Sequence, residues 1–555
     1  MRRLALAITG AAAGLVMMAA TASSSVQAAA PSPPVYHQTI KWKPCPIVQK
    51  YPAQYRRLEC ARIKAPQDWH KPKGKLISLV VSRLKATNGN PRGAVFTNPG
   101  GPGGPGIQLP LNFIAAQRNK LLDNMDIIGL DPRGVGYSTQ SNCKQVRDAA
   151  FGYDYRNRAK ARVTALLRAA KKLTVSCQKG TGLPSRFNNT AQVMYDLDMI
   201  RRILRLSGTN APVNRIDWIG YSAGTWMGAH YARYFPSHTG RFVLDSNTDF
   251  TKPWQSTFTL QPKGFERRFR SDFLPWVAKY NGTFHLGTTT AQVRAKYEKL
   301  RKVIVRKKYV KYRVTQANGT SKVVTYYPAT LDNDIAVNLY AKFQFRNLAY
   351  QLAGMYRATP GAGARTTAAA VPKLTTTVPS FGDPDESSDA TMADVMCNDT
   401  THNRSAKTLV KWSNKVAKAY PLTGASSILD ICLNWKRPKQ ALKVPAGKGL
   451  PRVLMVQSWH DPATPYELAA SAHKRYPNSR LITVKNEGDH GIYAGGNACV
   501  DNAVESWIVD GVFPGNSTCW GTPVPGPNAS LRTQDGLAQN PILRAQQLED
   551  AIAPF

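Results

Sequence analysis

The sequence predicts an α/β fold: a mostly parallel sheet with helices on both faces and a mainly helical lid inserted between its two halves. Three observations predict it. Apolar runs of strand length alternate with segments of helical period in the first half of the chain. That alternation stops near residue 251. The next strand pattern comes past residue 450, and because the sheet needs strands from both sides of the gap, the aromatic and basic stretch from Thr251 to about Asp389 is an insertion.

The elements follow in order. Leu76–Leu84 (LISLVVSRL) reads as a strand, and Gly93–Thr97 is a short apolar run that ends in a glycine-rich loop. Met125–Leu130 is a buried strand. Gln192–Leu206 carries Val193, Leu197, Ile200, Ile203 and Leu204 at helical spacing, so it is an amphipathic helix. Arg215–Gly220 and Arg241–Leu244 are strands around a helix at Thr225–Tyr234. The insertion is aromatic and basic, with a hairpin-like piece at Val314–Tyr326 and an Ala/Thr/Pro/Gly-rich loop at Thr359–Asp389. Strand Val453–Gln457, helix Tyr466–Tyr476 and strand Arg480–Val484 complete the pattern. The implied division is 1–28, 29–250 (first half of the core), 251–390 (lid), 391–525 (second half of the core) and 526–555 (tail).

At 555 residues, with 43% hydrophobic and 19% charged residues, the chain can bury a large core, which excludes a wholly disordered protein. Arg2 and Arg3 precede an apolar run from Leu4 to about Ala20 and a small-residue stretch ending at Val26-Gln27-Ala28. That is the pattern of a secretory signal peptide over 1–28, and it predicts a secreted, extracellular product. Eight cysteines fit an oxidising compartment. Sequence does not choose among their pairings. Neighbour pairing (45–60, 143–177, 397–432, 499–519) closes the shortest loops and is the expectation.

The formal net charge is +40. Its plainest reading is a solvated basic surface, with weak electrostatic contact to anionic cell-wall polymers as the partner it allows. No zinc-finger spacing, RNA-binding signature or heptad run supports a specific nucleic-acid module. A monomer is expected.

Four segments carry chemistry. Gly220-Tyr221-Ser222-Ala223-Gly224 lies between a strand and a helix, the context of a nucleophile elbow, where a tight turn needs small residues on both sides of the serine. Asn98 to Gly106 (NPGGPGGPG) follows a strand and can bring a backbone N–H to a developing oxyanion; Gly101 is the first choice, Gly100 the second, and Ala223 N–H is the partner donor. A phosphate loop is excluded because no GK[ST] follows. Asp461 follows the Val453–Gln457 strand, and His490 follows the last strand, in the chain order Ser…Asp…His. Ser222 is then nucleophile, His490 general base and acid, and Asp461 the group that orients the imidazole. Asp245 is the rival acid at the end of an earlier strand. His460 and Asp489 are neighbours that point elsewhere, and Thr464 reads as a helix cap. Asp131-Pro132-Arg133-Gly134 opens a structural loop. No metal or cofactor is called for.

Together these segments resemble the secreted tripeptidyl aminopeptidases of actinobacteria, within the prolyl-aminopeptidase-like branch of the α/β-hydrolases. The resemblance also covers DPRGVGYS at 131–138, YARYFP at 231–236, the Cys397-Asn398-Asp399 segment and DPATP at 461–465. It implies a serine exopeptidase acting on peptides or proteins with a free N-terminus. Such an enzyme must hold an ammonium group with acids. Among Glu266, Asp272, Asp332, Asp334 and Asp399, Asp399 ranks first, and Glu266 is the next candidate. The alternatives are a secreted carboxylesterase or lipase on the same triad, and a basic non-catalytic cell-wall binder.

Overall fold

The computed structural model describes residues 33–49, 51–143, 152–315, 321–363, 386–438 and 442–528. Residues 1–28, which the sequence reads as a signal peptide, most of the 359–389 stretch and residues from 529 on lie outside the described residues. Ten strands form one sheet: β1 (Lys43–Pro44), β2 (Glu59–Pro66), β3 (Leu76–Leu84), β4 (Gly93–Asn98), β5 (Met125–Asp131), β6 (Ile216–Tyr221), β7 (Thr239–Asp245), β8 (Val453–Ser458), β9 (Ser479–Lys485) and β10 (Ser517–Trp520). Their order is β1-β2-β3-β5-β4-β6-β7-β8-β9-β10. The pairings β1·β2, β2·β3 and β3·β5 are antiparallel, and every pairing from β5·β4 to β9·β10 is parallel.

The central strands are apolar throughout because both faces are covered. All residues of β5 and β8 are buried, as expected for a parallel sheet between helical layers. Alternate residues serve opposite cores. Phe96, Ile128, Trp218, Phe242 and Met455 join Val193, Leu197 and Ile200 of helix Thr190–Ile203 on one face. Val95, Ile127, Ile219, Val243, Leu454 and Ile482 pack on the other face with Leu109, Phe113, Val500 and Val504.

Between β7 and β8 the chain leaves the sheet. It builds a third core from Phe269, Phe273, Trp276, Tyr297, Ile304, Ile335 and Leu348. This part holds helices Trp254–Arg268, Thr290–Lys307, Pro328–Asn338 and Phe345–Ala358 and an antiparallel hairpin, Val310–Thr315 with Ser321–Tyr326. Helices Glu386–Asp399 and Ala406–Ala419 follow before the sheet resumes. The chain rejoins the sheet at Val453, opposite Phe242, so the sequence boundary at 390 marks the end of the Ala/Thr/Pro-rich stretch and not the return to the sheet. Because β7 and β8 are adjacent, the insertion costs the sheet no hydrogen bond.

The loop after β5 is structural, as its sequence suggests. Asp131 accepts the N–H groups of Gly106, Ile107 and Tyr137. The fully buried Arg133 pairs in two-pronged fashion with Asp196 at 2.7 Å and donates to the carbonyls of Pro66, Gln67 and Phe187. That loop therefore pins the glycine-rich segment to helix Thr190–Ile203. All eight cysteines are paired as neighbours: Cys45–Cys60, Cys143–Cys177, Cys397–Cys432 and Cys499–Cys519. No helix of the described residues is long and apolar enough to cross a membrane.

Candidate active site

Ser222 stands between β6 and helix Ala223–Tyr234 with φ 53° and ψ −123°. A non-glycine residue in that region is strained, and the turn holds it by hydrogen bonds on both sides. Ser222 N–H donates to the Asp245 carbonyl at 2.9 Å, while its own carbonyl accepts Thr225 N–H and Oγ1. The flanking glycines are a packing requirement. A Cβ at Gly220 would sit 2.4 Å from the Gly224 carbonyl oxygen, and one at Gly224 2.6 Å from that of Asn98.

The glycine-rich loop passes directly over the elbow. A Cβ on Gly100 would lie 2.5 Å from the Tyr221 carbonyl oxygen, 2.8 Å from Ala223 N and 2.8 Å from Ser222 Cβ, at a φ of +101°. Gly100 N–H is already given to Asn98 Oδ1 at 2.9 Å, and Gly100 O accepts Gly104 N–H. Gly101 N–H makes no such bond among the described residues. Ala223 is the first residue of its helix, where N–H groups lack an intrahelical acceptor. Gly100→Ala is therefore expected to lower kcat/KM by about 100- to 1,000-fold, the scale of one lost oxyanion donor. Steady-state kinetics beside a thermal melt checks it, since the new Cβ must push the loop off the elbow.

Asp461 and His490 meet at the ends of β8 and β9. His490 Nδ1 is 2.9 Å from Asp461 Oδ1 and 3.0 Å from Oδ2, and both side chains are buried. Oδ1 also accepts the N–H groups of Ala463 (3.0 Å) and Thr464 (2.7 Å), and Oδ2 lies 3.3 Å from Gln457 Nε2. The carboxylate is thereby fixed as an acceptor, and Nδ1 carries the imidazole hydrogen. Nε2 is left as the basic nitrogen. Thr464 does not cap the next helix, whose cap is Pro465 without a side-chain bond; its Oγ1 instead lies 3.2 Å from His490 Nδ1.

Asp245 is fully buried but has another task. Its Oδ2 accepts Ile492 N–H (2.9 Å) and Tyr493 N–H (2.7 Å), and Ser246 Oγ accepts Gly491 N–H (2.7 Å). Its main chain backs Ser222, so one residue fixes both the elbow and the loop that presents His490. Burial pushes its carboxyl up to about 7. Asp489 turns away to Arg268 Nη2 and Lys342 N–H, its carboxyl raised to about 6 by burial. His460 Nδ1 lies 2.8 Å from Asp272 Oδ1.

The lid reaches the site through Tyr340. Its carbonyl accepts His490 N–H at 2.8 Å, and its ring meets the imidazole edge-on at 5.1 Å. Tyr340 also lines a cavity of about 620 Å³ with Phe258, Phe265, Met392, Trp412 and Asp430, a size and character suited to a small ligand.

The acids expected to hold an ammonium group are occupied. Asp399 accepts Thr190 N–H (2.8 Å) and Oγ1 (2.5 Å) and Trp254 Nε1 (3.2 Å), and burial raises its carboxyl to about 6. It binds the first residue of helix Thr190–Ile203 and is not among the residues that line the cavity. Glu266 is held by Arg270, Arg294 and Leu422 N–H. Asp332 is bound by Arg301 and Tyr297, and Asp334 by Tyr326 and Gln351. Asp430, which sequence reasoning passed over, is the one carboxylate among the described residues that line the cavity. Its position two residues before Cys432 suggests only a turn cap, and it does accept Cys432 N–H at 2.9 Å.

Comparison with known proteins agrees with this architecture. Residues 420–519 match the family model described as TAP-like protein. The chain is 30% identical to a tripeptidyl aminopeptidase of Streptomyces lividans over 85% of this chain and 84% of that protein. It is 28% identical to a carboxylesterase B of Mycobacterium tuberculosis, over 88% and 91%. It is 24% identical to the serine protease Hip1 of the same species, over 87% and 91%. The strand-end order of Ser222, Asp461 and His490, joined to the extent of the Streptomyces match, places the chain in the tripeptidyl aminopeptidase family of serine α/β-hydrolases.

Proposed function

We propose that this chain is an exported serine exopeptidase that releases short peptides, tripeptides foremost, from free N-termini. The observation that carries the reading is the buried Asp461–His490 pair, anchored through Asp245 to the elbow that presents Ser222. Ser222 Oγ attacks the scissile carbonyl carbon, and His490 Nε2 takes its proton. The negative oxygen of the tetrahedral intermediate lies between the N–H groups of Gly101 and Ala223. The imidazolium returns its proton to the leaving amine as the C–N bond breaks, which leaves an acyl ester on Ser222. Water, deprotonated by the same Nε2, then releases the peptide acid and restores the serine.

A mostly apolar cavity lined in part by the lid residue Tyr340, whose carbonyl accepts His490 N–H, supports a short acyl portion over an internal stretch of chain. The four disulfides and the N-terminal apolar run support export. The carboxylesterase named among the relatives supports a second reading, ester hydrolysis on the same triad.

A substrate panel separates the two: tripeptide p-nitroanilides with free and acetylated N-termini, beside short-chain p-nitrophenyl esters. The exopeptidase reading expects release from the free amine and at least about tenfold slower release from the acetylated form, because a charged contact is lost. Ester turnover with no anilide turnover removes it in favour of the esterase.

A further inference from the structure

The residues just before the triad acid and base are joined by one buried arginine. His460 precedes Asp461, Asp489 precedes His490, and both side chains lead into the lid. Arg268, the last residue of helix Trp254–Arg268, is 2% exposed. Its Nη2 donates to Asp489 Oδ1 at 2.5 Å, and its Nη1 donates to Asp272 Oδ2 at 2.6 Å. The other oxygen of Asp272 lies 2.8 Å from His460 Nδ1. The line of contacts is therefore His460–Asp272–Arg268–Asp489, and at each end the next residue in sequence belongs to the triad.

The guanidinium is held on every side. It lies over the Phe345 ring at 4.9 Å, and its Nε is 3.4 Å from the Leu339 carbonyl oxygen. It also rests on the main chain that leads to His490, since a Cβ on Gly488 would come 2.5 Å from Arg268 Cζ. Lys342 adds a second tie from the lid, with its N–H on Asp489 Oδ1 at 2.8 Å and its Nζ on Glu487. The two catalytic loops are joined directly as well. His460 N–H donates to the Glu487 carbonyl at 2.8 Å, and Ser458 Oγ donates to the Asp489 carbonyl at 2.8 Å. The chain after β8 and the chain after β9 are thus fastened to each other and to one lid side chain.

A buried ion pair gains little net stability over apolar side chains of the same volume, and its best-attested use is to select one arrangement of the chain. The choice of arginine fits that use. A planar fork reaches two carboxylates in fixed directions, whereas an ammonium is a point charge. We propose that Arg268 is a positioning residue of the triad: through Asp489 and Asp272 it sets the main chain that carries His490 and Asp461. The inference rests on the triad reading and holds for a peptide or an ester substrate.

The test follows fluorophosphonate labelling of wild type, Arg268→Lys and Arg301→Lys, read both as rate and as final stoichiometry. Lysine keeps the charge and loses the fork. Arg301, 5% exposed and paired with Asp332 and Asp154, controls for the loosening of any buried pair. Arg268→Lys is expected to take up one label per chain, as wild type does, but about 10- to 100-fold more slowly, the scale of an ångström-sized misplacement. Its kcat falls in step while KM stays within about twofold. Arg301→Lys is expected to label at the wild-type rate. A merely structural role lowers the labelled fraction and leaves the rate unchanged; that result, or an equal slowing in Arg301→Lys, overturns the proposal. If Arg268→Lys does not fold, Asp489→Asn decides, because it keeps an oxygen for Lys342 N–H and removes the charge that faces Arg268. Labelling slowed about fivefold or more at full stoichiometry supports the proposal, and the wild-type rate overturns it. A wild type that takes no label removes the triad and the proposal together. A labelled wild type beside an unslowed Arg268→Lys removes the proposal alone.

Discussion

Asp461→Asn is expected to lower kcat by about 1,000- to 10,000-fold while the protein stays folded, whereas Asp245→Asn is expected to lose less than about tenfold. The carboxylate of Asp461 is 2.9 Å and 3.0 Å from His490 Nδ1 through its two oxygens. The variant removes the charge that stabilises the imidazolium. It also places an NH2 group beside Nδ1, which favours the tautomer with a protonated, useless Nε2. The main-chain donors at Ala463 and Thr464 hold the amide oxygen in place of Oδ1, so the fold has no reason to yield. At Asp245 the important acceptor is Oδ2, which binds two main-chain N–H groups. An amide oxygen serves there, and a carboxyl raised to about 7 by burial is already part-neutral at neutral pH. Steady-state kinetics of both variants, with near-ultraviolet circular dichroism as the folding control, checks the pair. Equal losses would reassign the acid.

Ser222→Ala has the largest expected effect. Peptide and ester turnover both fall by about 10,000-fold or more, because the covalent route is gone and only the oxyanion donors and binding remain. KM changes little, since the serine hydroxyl adds little to ground-state binding. The variant is expected to melt close to wild type, because the Ser222 hydroxyl does not cap the helix it begins and the turn is held by main-chain hydrogen bonds that Ala keeps. Active-site titration with a chromogenic ester, read as the burst per chain, is the sensitive measurement: one equivalent in wild type, none in the variant.

What could be read in the sequence was local. The elbow and the glycine loop demand residue types that short-range sterics dictate, and Gly100, Gly220 and Gly224 occupy spaces where a Cβ would collide with main chain. The central strands were legible because a doubly covered parallel sheet makes them apolar end to end. Acid partners were not, because they come from distant segments. Asp399 looks like a free acid beside the return to the sheet, yet Thr190 and Trp254 consume it. Glu266 carried a warning in Arg270, four residues on in the same helical turn. Asp430 was passed over, because its place on the cavity wall comes from the packing of segments far apart in the chain. Thr464 sits three residues past Asp461 and two before a helix, so capping was the natural reading. The turn instead folds its N–H back on Asp461.

The most direct measurement is the site and stoichiometry of labelling by a fluorophosphonate, followed by peptide mass spectrometry of the native enzyme. A serine made nucleophilic by His490 and Asp461 takes up one phosphonyl group per chain, on the peptide that contains Ser222, and Asp461→Asn slows the uptake. No uptake, or a label on another serine, would contradict the mechanism.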